Sequence, residues 1–128
     1  MAVLGFNHIN LRAPRPLLDE LRDFYCQVVG LKLGERPPFQ SFGYWLYGGG
    51  LDLVHLTETR PGEERGTKPT SFDHVAFRCQ GPKAVEARLQ AAGIPYQRDW
   101  VPERGELQLF LQDPAGNGVE LNFAAKDG

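Results

Sequence analysis

Residues 4–12 alternate between two faces. Asn7, Ile9 and Leu11 fall on one side of a predicted strand, and Phe6, His8, Asn10 and Arg12 on the other. The first face is apolar enough to meet a helix. The second carries His, Asn and Arg, which suits a strand lining a cleft. A helix is predicted next. Pro16 fits its first turn, Leu17, Leu18, Leu21, Phe24, Tyr25, Val28 and Val29 recur at helical spacing, and Gly30 is its stop. Phe24 and Tyr25 are assigned to the core. Strands are expected at 31–34, 42–47 and 51–58, with a loop at Pro37-Pro38 and a turn at Gly48-Gly49-Gly50. In the last strand Leu51, Leu53, His55 and Thr57 should share a face.

The pattern then repeats. Phe72 to Arg78 is a strand, Pro82 opens a helix with Val85, Leu89 and Ala92 on its apolar side, and Gly93 closes it. Strands follow at 94–100, 106–112 and 119–123, the last two joined by the turn Asp113-Pro114-Ala115-Gly116-Asn117-Gly118. Each half reads strand, helix, strand, strand, strand. The fold class is α+β: two βαβββ modules, 4–58 and 71–124, joined by a charged, Pro/Gly-rich linker at 59–70. Neither half is long enough to bury its own sheet face well, so the two should form a single domain, one curved mixed sheet with helices outside and a cleft inside.

Composition adds exclusions. Hydrophobic residues are 41% and charged residues 23% of the 128, ordinary for a globular chain. A net charge of −2 gives no reason to expect nucleic acid or an anionic membrane surface as partner. The apolar stretches are too short to span a bilayer, and the N-terminus lacks a secretory pattern. Cys26 and Cys79 are expected to be buried reduced thiols, which fits a cytoplasmic chain.

The chemistry lies on the polar face. The chain has three histidines. His8 and His74 stand at equivalent positions of the two repeats, and so, nearly, do His55 and Glu120. Equivalent positions of a pseudo-symmetric sheet face a common axis, so three imidazoles and one carboxylate are candidate ligands of one divalent ion. Imidazole suits Zn, Ni, Fe or Co, and a carboxylate extends the choice to Mn. An unpartnered buried Glu120 would be costly, which also favours a cation there.

The strands around His8 and His74, the helix end Phe24-Tyr25…Gly30-Leu31, and Asp113-Pro114-x-Gly116-Asn117-Gly118-Val119-Glu120-Leu121 resemble the vicinal oxygen chelate superfamily. That group includes glyoxalase I, fosfomycin-resistance thiol transferases, extradiol dioxygenases and bleomycin-binding proteins. The resemblance covers essentially the whole chain. It implies paired βαβββ modules, a metal that chelates vicinal oxygens of a small substrate, and a homodimer. It assigns His8, His74 and Glu120 to the three ligands shared by the thiol transferases and dioxygenases. His55 falls where glyoxalase I has a glutamate that serves it as ligand and base, and Thr59 where it has a glutathione-binding asparagine. Arg12 matches an arginine that binds the glutathione carboxylate.

The expectation is therefore a glyoxalase-like metal enzyme with lyase or isomerase chemistry through an enediolate, and glutathione as a candidate cosubstrate. Glu120 or His55 would act as base, Arg12 would clamp an anionic group, and Asn10 and Asn122 would orient substrate. The alternatives are a thiol transferase, a ring-cleaving dioxygenase, or a drug-binding protein that stacks ligands on Tyr44, Trp45, Tyr47, Trp100 and Phe110.

Overall fold

A computed structural model describes residues 2, 4–64 and 72–125. The chain divides into two compact units, Met1–Pro69 and Thr70–Gly128. Part of the predicted linker, 65–70, lies outside the described residues.

In the first unit, strand β1 (Ile9–Ala13) leads to helix α1 (Arg15–Phe24), which runs into a π-helical turn, Tyr25–Val29. The predicted single helix thus changes its winding at Tyr25. The Tyr25 carbonyl accepts the N–H groups of both Gly30 and Leu31 (3.1 and 2.9 Å), and Gly30 ends the turn at φ 100°, a left-handed conformation open to glycine. Strands β2 (Lys32–Gly34), β3 (Gly43–Gly48) and β4 (Leu51–Glu58) complete the unit. The sheet order is β1-β4-β3-β2, with β1 parallel to β4 and the other pairs antiparallel.

The second unit repeats this plan with β5 (His74–Cys79), α2 (Pro82–Ala91), β6 (Gln97–Val101), β7 (Glu106–Gln112) and β8 (Gly118–Ala124), in the order β5-β8-β7-β6. Each unit is a βαβββ module around a four-stranded mixed sheet.

Alternation decides the two faces of each sheet. In the first, α1 packs against β4, β1 and β3. Leu18, Leu21, Phe24 and Tyr25 are buried, as are Leu46, Val54 and Leu56 of the strands. Leu18, Leu21, Tyr25 and the three strand residues lose essentially all their exposure, about 1.5–3 kcal/mol of hydrophobic stabilisation for each aliphatic side chain. The other face carries Asn10, Arg12, Trp45, His55 and Thr57. In the second unit Val85, Leu89, Leu107, Leu109, Leu111, Val119, Leu121 and Phe123 form the core. Cys26 and Cys79 are free thiols, half-buried rather than fully buried.

The first strand begins later than its alternation predicts. Residues before Ile9 are unpaired, and Leu4 and Phe6 are fully exposed. The reason lies in β4. Pairing runs Leu46↔Val54 and then Tyr47↔Asp52, so β4 bulges at Leu53. The β1–β4 ladder stops at Ile9↔Val54, one residue short of the bulge. His8 therefore precedes its strand rather than lying within it.

Candidate functional site

Register makes the repeat equivalence exact where sequence spacing left it approximate. In the first unit His55 lies between Asn10 and Trp45. In the second Glu120 lies between Ala76 and Phe110. Asn10 and Ala76 each stand two residues beyond the first histidine of their repeat, so His55 and Glu120 occupy the same position of the module.

The first unit forms an open cleft of about 420 Å³ on the face opposite α1. His55 is its most enclosed imidazole. Its ring stacks on Trp45 (centroids 4.0 Å apart, planes at 10°) and on His8 (3.8 Å, 14°). Its Nε2–H donates to Asp52 Oδ2 at 2.7 Å. That bond holds the Asp52 carboxyl below its usual value. The bulge brings Asp52 there. The predicted face Leu51, Leu53, His55, Thr57 is corrected on this account: Asp52, not Leu53, lines the cleft with His55 and Thr57. His8 Nδ1–H donates to Asn7 Oδ1 at 2.7 Å.

Arg12, Asn10 and Arg36 supply further polar groups. Arg12 Nη1 donates to the Glu58 carbonyl (3.0 Å), and Asn10 Oδ1 accepts the Thr57 hydroxyl (2.9 Å). Arg36 donates to the carbonyl and hydroxyl of Ser41 (2.9 and 3.0 Å), and its guanidinium lies 5.0 Å from the Phe39 ring centroid. Gly43 makes the room for it, since a Cβ there would stand 3.0 Å from Arg36 Nη2 and collide with the Leu56 carbonyl oxygen.

In the second unit, His74 opens β5 opposite Gly118. A Cβ on Gly118 would run into the Asp73 carbonyl and come within 2.8 Å of His74 Cβ, so this glycine admits the histidine. His74 Nδ1–H donates to Asp73 Oδ2 at 2.7 Å, and its Nε2 lies 3.2 Å from Glu120 Oε1. Glu120 is buried. Its Oε2 accepts N–H groups from Gln108 (3.3 Å) and Asn122 (3.1 Å). Asn122 Nδ2 also donates to Glu106 Oε2 (2.8 Å), whose other oxygen takes Arg104 Nε–H at 2.8 Å. Asn122 thus spends its amide protons on two carboxylates. The hydrogen bond to Asp73, followed by the Glu120 charge, raises the His74 pKa. Surroundings that favour a proton on His74 Nε2 also favour a cation.

The turn before β8 is built by Asp113. Its Oδ1 accepts the backbone N–H groups of Ala115 and Asn117, and its Oδ2 accepts the Asn117 amide, each at 2.9 Å. The Asp-Pro-x-Gly-Asn stretch is therefore a rigid hairpin connection that sets the start of β8 and hence the place of Glu120.

The structure brings the predicted ligands together in pairs, His8 with His55 and His74 with Glu120. Among the described residues there is no group of three or more His, Cys, Asp or Glu that could hold a metal ion. The His74–Glu120 pair fits a divalent cation by its donor chemistry, with an imidazole nitrogen and a carboxylate oxygen side by side. His8 and His74 share one orientation device. Each gives its Nδ1–H to the side-chain oxygen of the residue before it, which leaves Nε2 for a ligand. Asn7 and Asp73 were not singled out from the sequence, although both directly precede the repeated histidine. Asp52 and Gln108 carry no sequence signal that ties them to the site, and Trp45 is expected from the sequence only as a stacking surface for a ligand. Only the observed register shows that they touch His55 and Glu120.

Two βαβββ modules, one with a histidine just before its first strand and one with a histidine at its start, define a class of fold before they define a protein. The chain belongs to the Glyoxalase/Bleomycin resistance protein/Dioxygenase superfamily, whose family model matches residues 5–121. It is 34% identical to Glyoxylase I 4 of Arabidopsis thaliana over 124 residues, covering 91% of this chain and 69% of that protein. It is 25% identical to the lactoylglutathione lyase of Pseudomonas putida over 145 residues, 91% of this chain and 83% of that enzyme. Among solved structures, a glyoxalase family protein from Bacillus anthracis shares the fold with a TM-score of 0.76 at 23% identity, covering 97% of this chain and 98% of that one.

Proposed function

We propose that this chain is a divalent-metal-dependent, glyoxalase-like enzyme with lyase or isomerase chemistry on a small substrate that carries two neighbouring oxygens. The observation that carries the reading is the His74–Glu120 pair, 3.2 Å from Nε2 to Oε1, with His74 oriented by Asp73. His8, equivalent to His74 and oriented in the same way by Asn7, is the proposed third ligand. His55, the fourth residue of the set expected from the sequence, lies against the His8 ring with its Nε2 engaged by Asp52. A bound ion would supply Lewis-acid stabilisation of the negative charge that develops on the substrate oxygens.

The chain's own groups have the remaining roles. Glu120 is the proposed base. Its Oε2 is anchored by Gln108 and Asn122, and its Oε1, which faces His74 Nε2, is the oxygen proposed to exchange a proton. Arg12 and Arg36 line the cleft and are proposed to receive an anionic substrate group. Asn10, beside Thr57, would orient it. The name of the Pseudomonas relative supports a glutathione adduct as the first substrate to try. A homodimer in the cytoplasm is part of the same proposal, and sedimentation of the purified chain tests the dimer.

The test is metal analysis of the purified protein, followed by assay of the methylglyoxal–glutathione adduct with Zn, Ni, Mn, Co and Fe(II) in turn. One ion per chain and turnover with at least one metal is the expected result. No stoichiometric metal uptake would overturn the enzyme reading. Metal uptake without turnover would move the substrate elsewhere. One feature favours a second reading, drug binding. Phe39 and Trp45, 6.1 Å apart at 46°, give the cleft an aromatic wall suited to a planar ligand.

A further inference from the structure

We propose that His55 is a positioning residue and not a metal ligand: Asp52 and Trp45 lock its ring, which serves as the platform that holds His8. The inference rests on the reading of His8 as a ligand.

Three observations carry it. First, His55 Nε2–H is committed to Asp52 at 2.7 Å, whereas His8 and His74 commit Nδ1. The histidine at the module position of Glu120 has the opposite nitrogen engaged. Second, the stacking geometry excludes shared ligation. An imidazole binds a metal along the nitrogen lone pair, in the plane of the ring, at about 2.0–2.1 Å. The His8 and His55 planes are inclined by only 14° with centroids 3.8 Å apart. Planes so nearly parallel meet far beyond bonding distance, so one ion cannot lie in both at once. Third, His8 needs a support. It lies ahead of β1, is exposed, and has no ladder partner because β4 bulges beside it. The His55 ring, itself flat against Trp45 and nine-tenths buried, is that support.

This arrangement gives a role to the histidine that stands where the other module has Glu120. Asp52 and Trp45 hold His55 at its edge and on one face. The other face then fixes the plane of His8, and Asn7 fixes its tautomer. His8 Nε2 keeps a single direction.

Long-range nitrogen–proton NMR spectra of the metal-free wild-type chain test the proposal without any variant. The expected result is an Nε2–H tautomer at His55, an Nδ1–H tautomer at His8, and upfield ring-current shifts on the His8 ring protons. An Nδ1–H tautomer at His55, or unshifted His8 protons, would overturn it. Two substitutions separate ring from nitrogen, read by calorimetric titration with Co²⁺. His55→Phe keeps a flat ring and should bind Co²⁺ within a few-fold of wild type, with the His8 shifts retained. His55→Ala should lose the shifts and weaken Co²⁺ binding by about tenfold or more, the scale of a lost orienting contact. If His55→Phe weakens Co²⁺ as much as His8→Ala does, His55 is a ligand and the proposal falls. If the wild-type chain binds no Co²⁺, the metal reading fails instead. The tautomers and ring shifts then decide the platform by themselves.

Discussion

The two hairpins β3–β4 and β7–β8 occupy the same place in the two modules, yet one bulges and the other does not. The regular hairpin lets the β5–β8 ladder extend to His74↔Gly118, so the first-strand histidine sits inside the sheet, next to a buried carboxylate. The bulged hairpin cuts the β1–β4 ladder at Ile9 and leaves the equivalent histidine outside. It also turns Asp52 toward His55. One extra residue in a strand therefore separates a polar network built around Glu120 from a stack of rings built around His55. Repeat symmetry sets the positions, and local backbone geometry sets the chemistry at each.

The largest expected effect breaks the comparison at its metal-binding half. Glu120→Ala and His74→Ala should each weaken divalent-metal affinity by more than about a hundredfold, beyond the range typical of an orienting partner, as measured by competition with a chromogenic chelator. Equal, small losses from both would mean that the pair is a salt bridge and nothing more. A second test compares the two orienting residues. Asn7→Leu and Asp73→Leu each leave the ligand in place but remove its Nδ1 partner, and should cost about 10–100-fold in metal affinity. Asp73 should matter more, because it is an anion and the first cause of the raised His74 pKa. A third addresses the close approach of Gly118 to the histidine of the second module. Gly118→Ala places a Cβ against the Asp73 carbonyl and His74 Cβ, and should cost about 1–3 kcal/mol in urea unfolding. No loss of stability would mean that the backbone around Asp73 is free to give way.

Much of this arrangement is legible in the chain. Alternation and helical spacing identify both modules, Gly30 and Gly93 mark the helix ends, and Phe24 and Tyr25 are in the core as expected. The echo of His8 in His74 is legible too, but the orienting bonds to Asn7 and Asp73, immediately before them, are seen only in the structure. The sequence hints at the bulge by a change of phase at Leu53-Val54, from apolar Leu51 and Leu53 to apolar Val54 and Leu56, but does not place it. Only pairing with β3 reveals the extra residue, and with it the Asp52 contact and the late start of β1. The one-residue mismatch in spacing between His8…His55 and His74…Glu120 is likewise resolved only by register. Gln108 and Glu106 lie on a strand that reads as ordinary polar alternation, so their convergence on Asn122 and Glu120 depends on where β8 begins, and Asp113 decides that.

The smallest expected effect tests the polar network itself, by pH. Hydrogen bonds from Asn122 and then Arg104 lower the Glu106 pKa below its ordinary value of about 4.5. A carboxyl held low in the folded chain binds fewer protons there than when unfolded. Its stabilisation is complete above the unfolded value and is lost as pH falls through the folded one. Glu106→Gln removes that titration while keeping an oxygen to accept the Asn122 amide. Urea midpoints of the metal-free protein should therefore fall less steeply between neutral and acidic pH in the variant than in wild type, and the two curves should approach each other at the acid end. If the curves instead stay parallel across the whole range, Glu106 does not titrate with folding, and the carboxylates around Asn122 act as separate surface groups rather than as one network supporting Glu120.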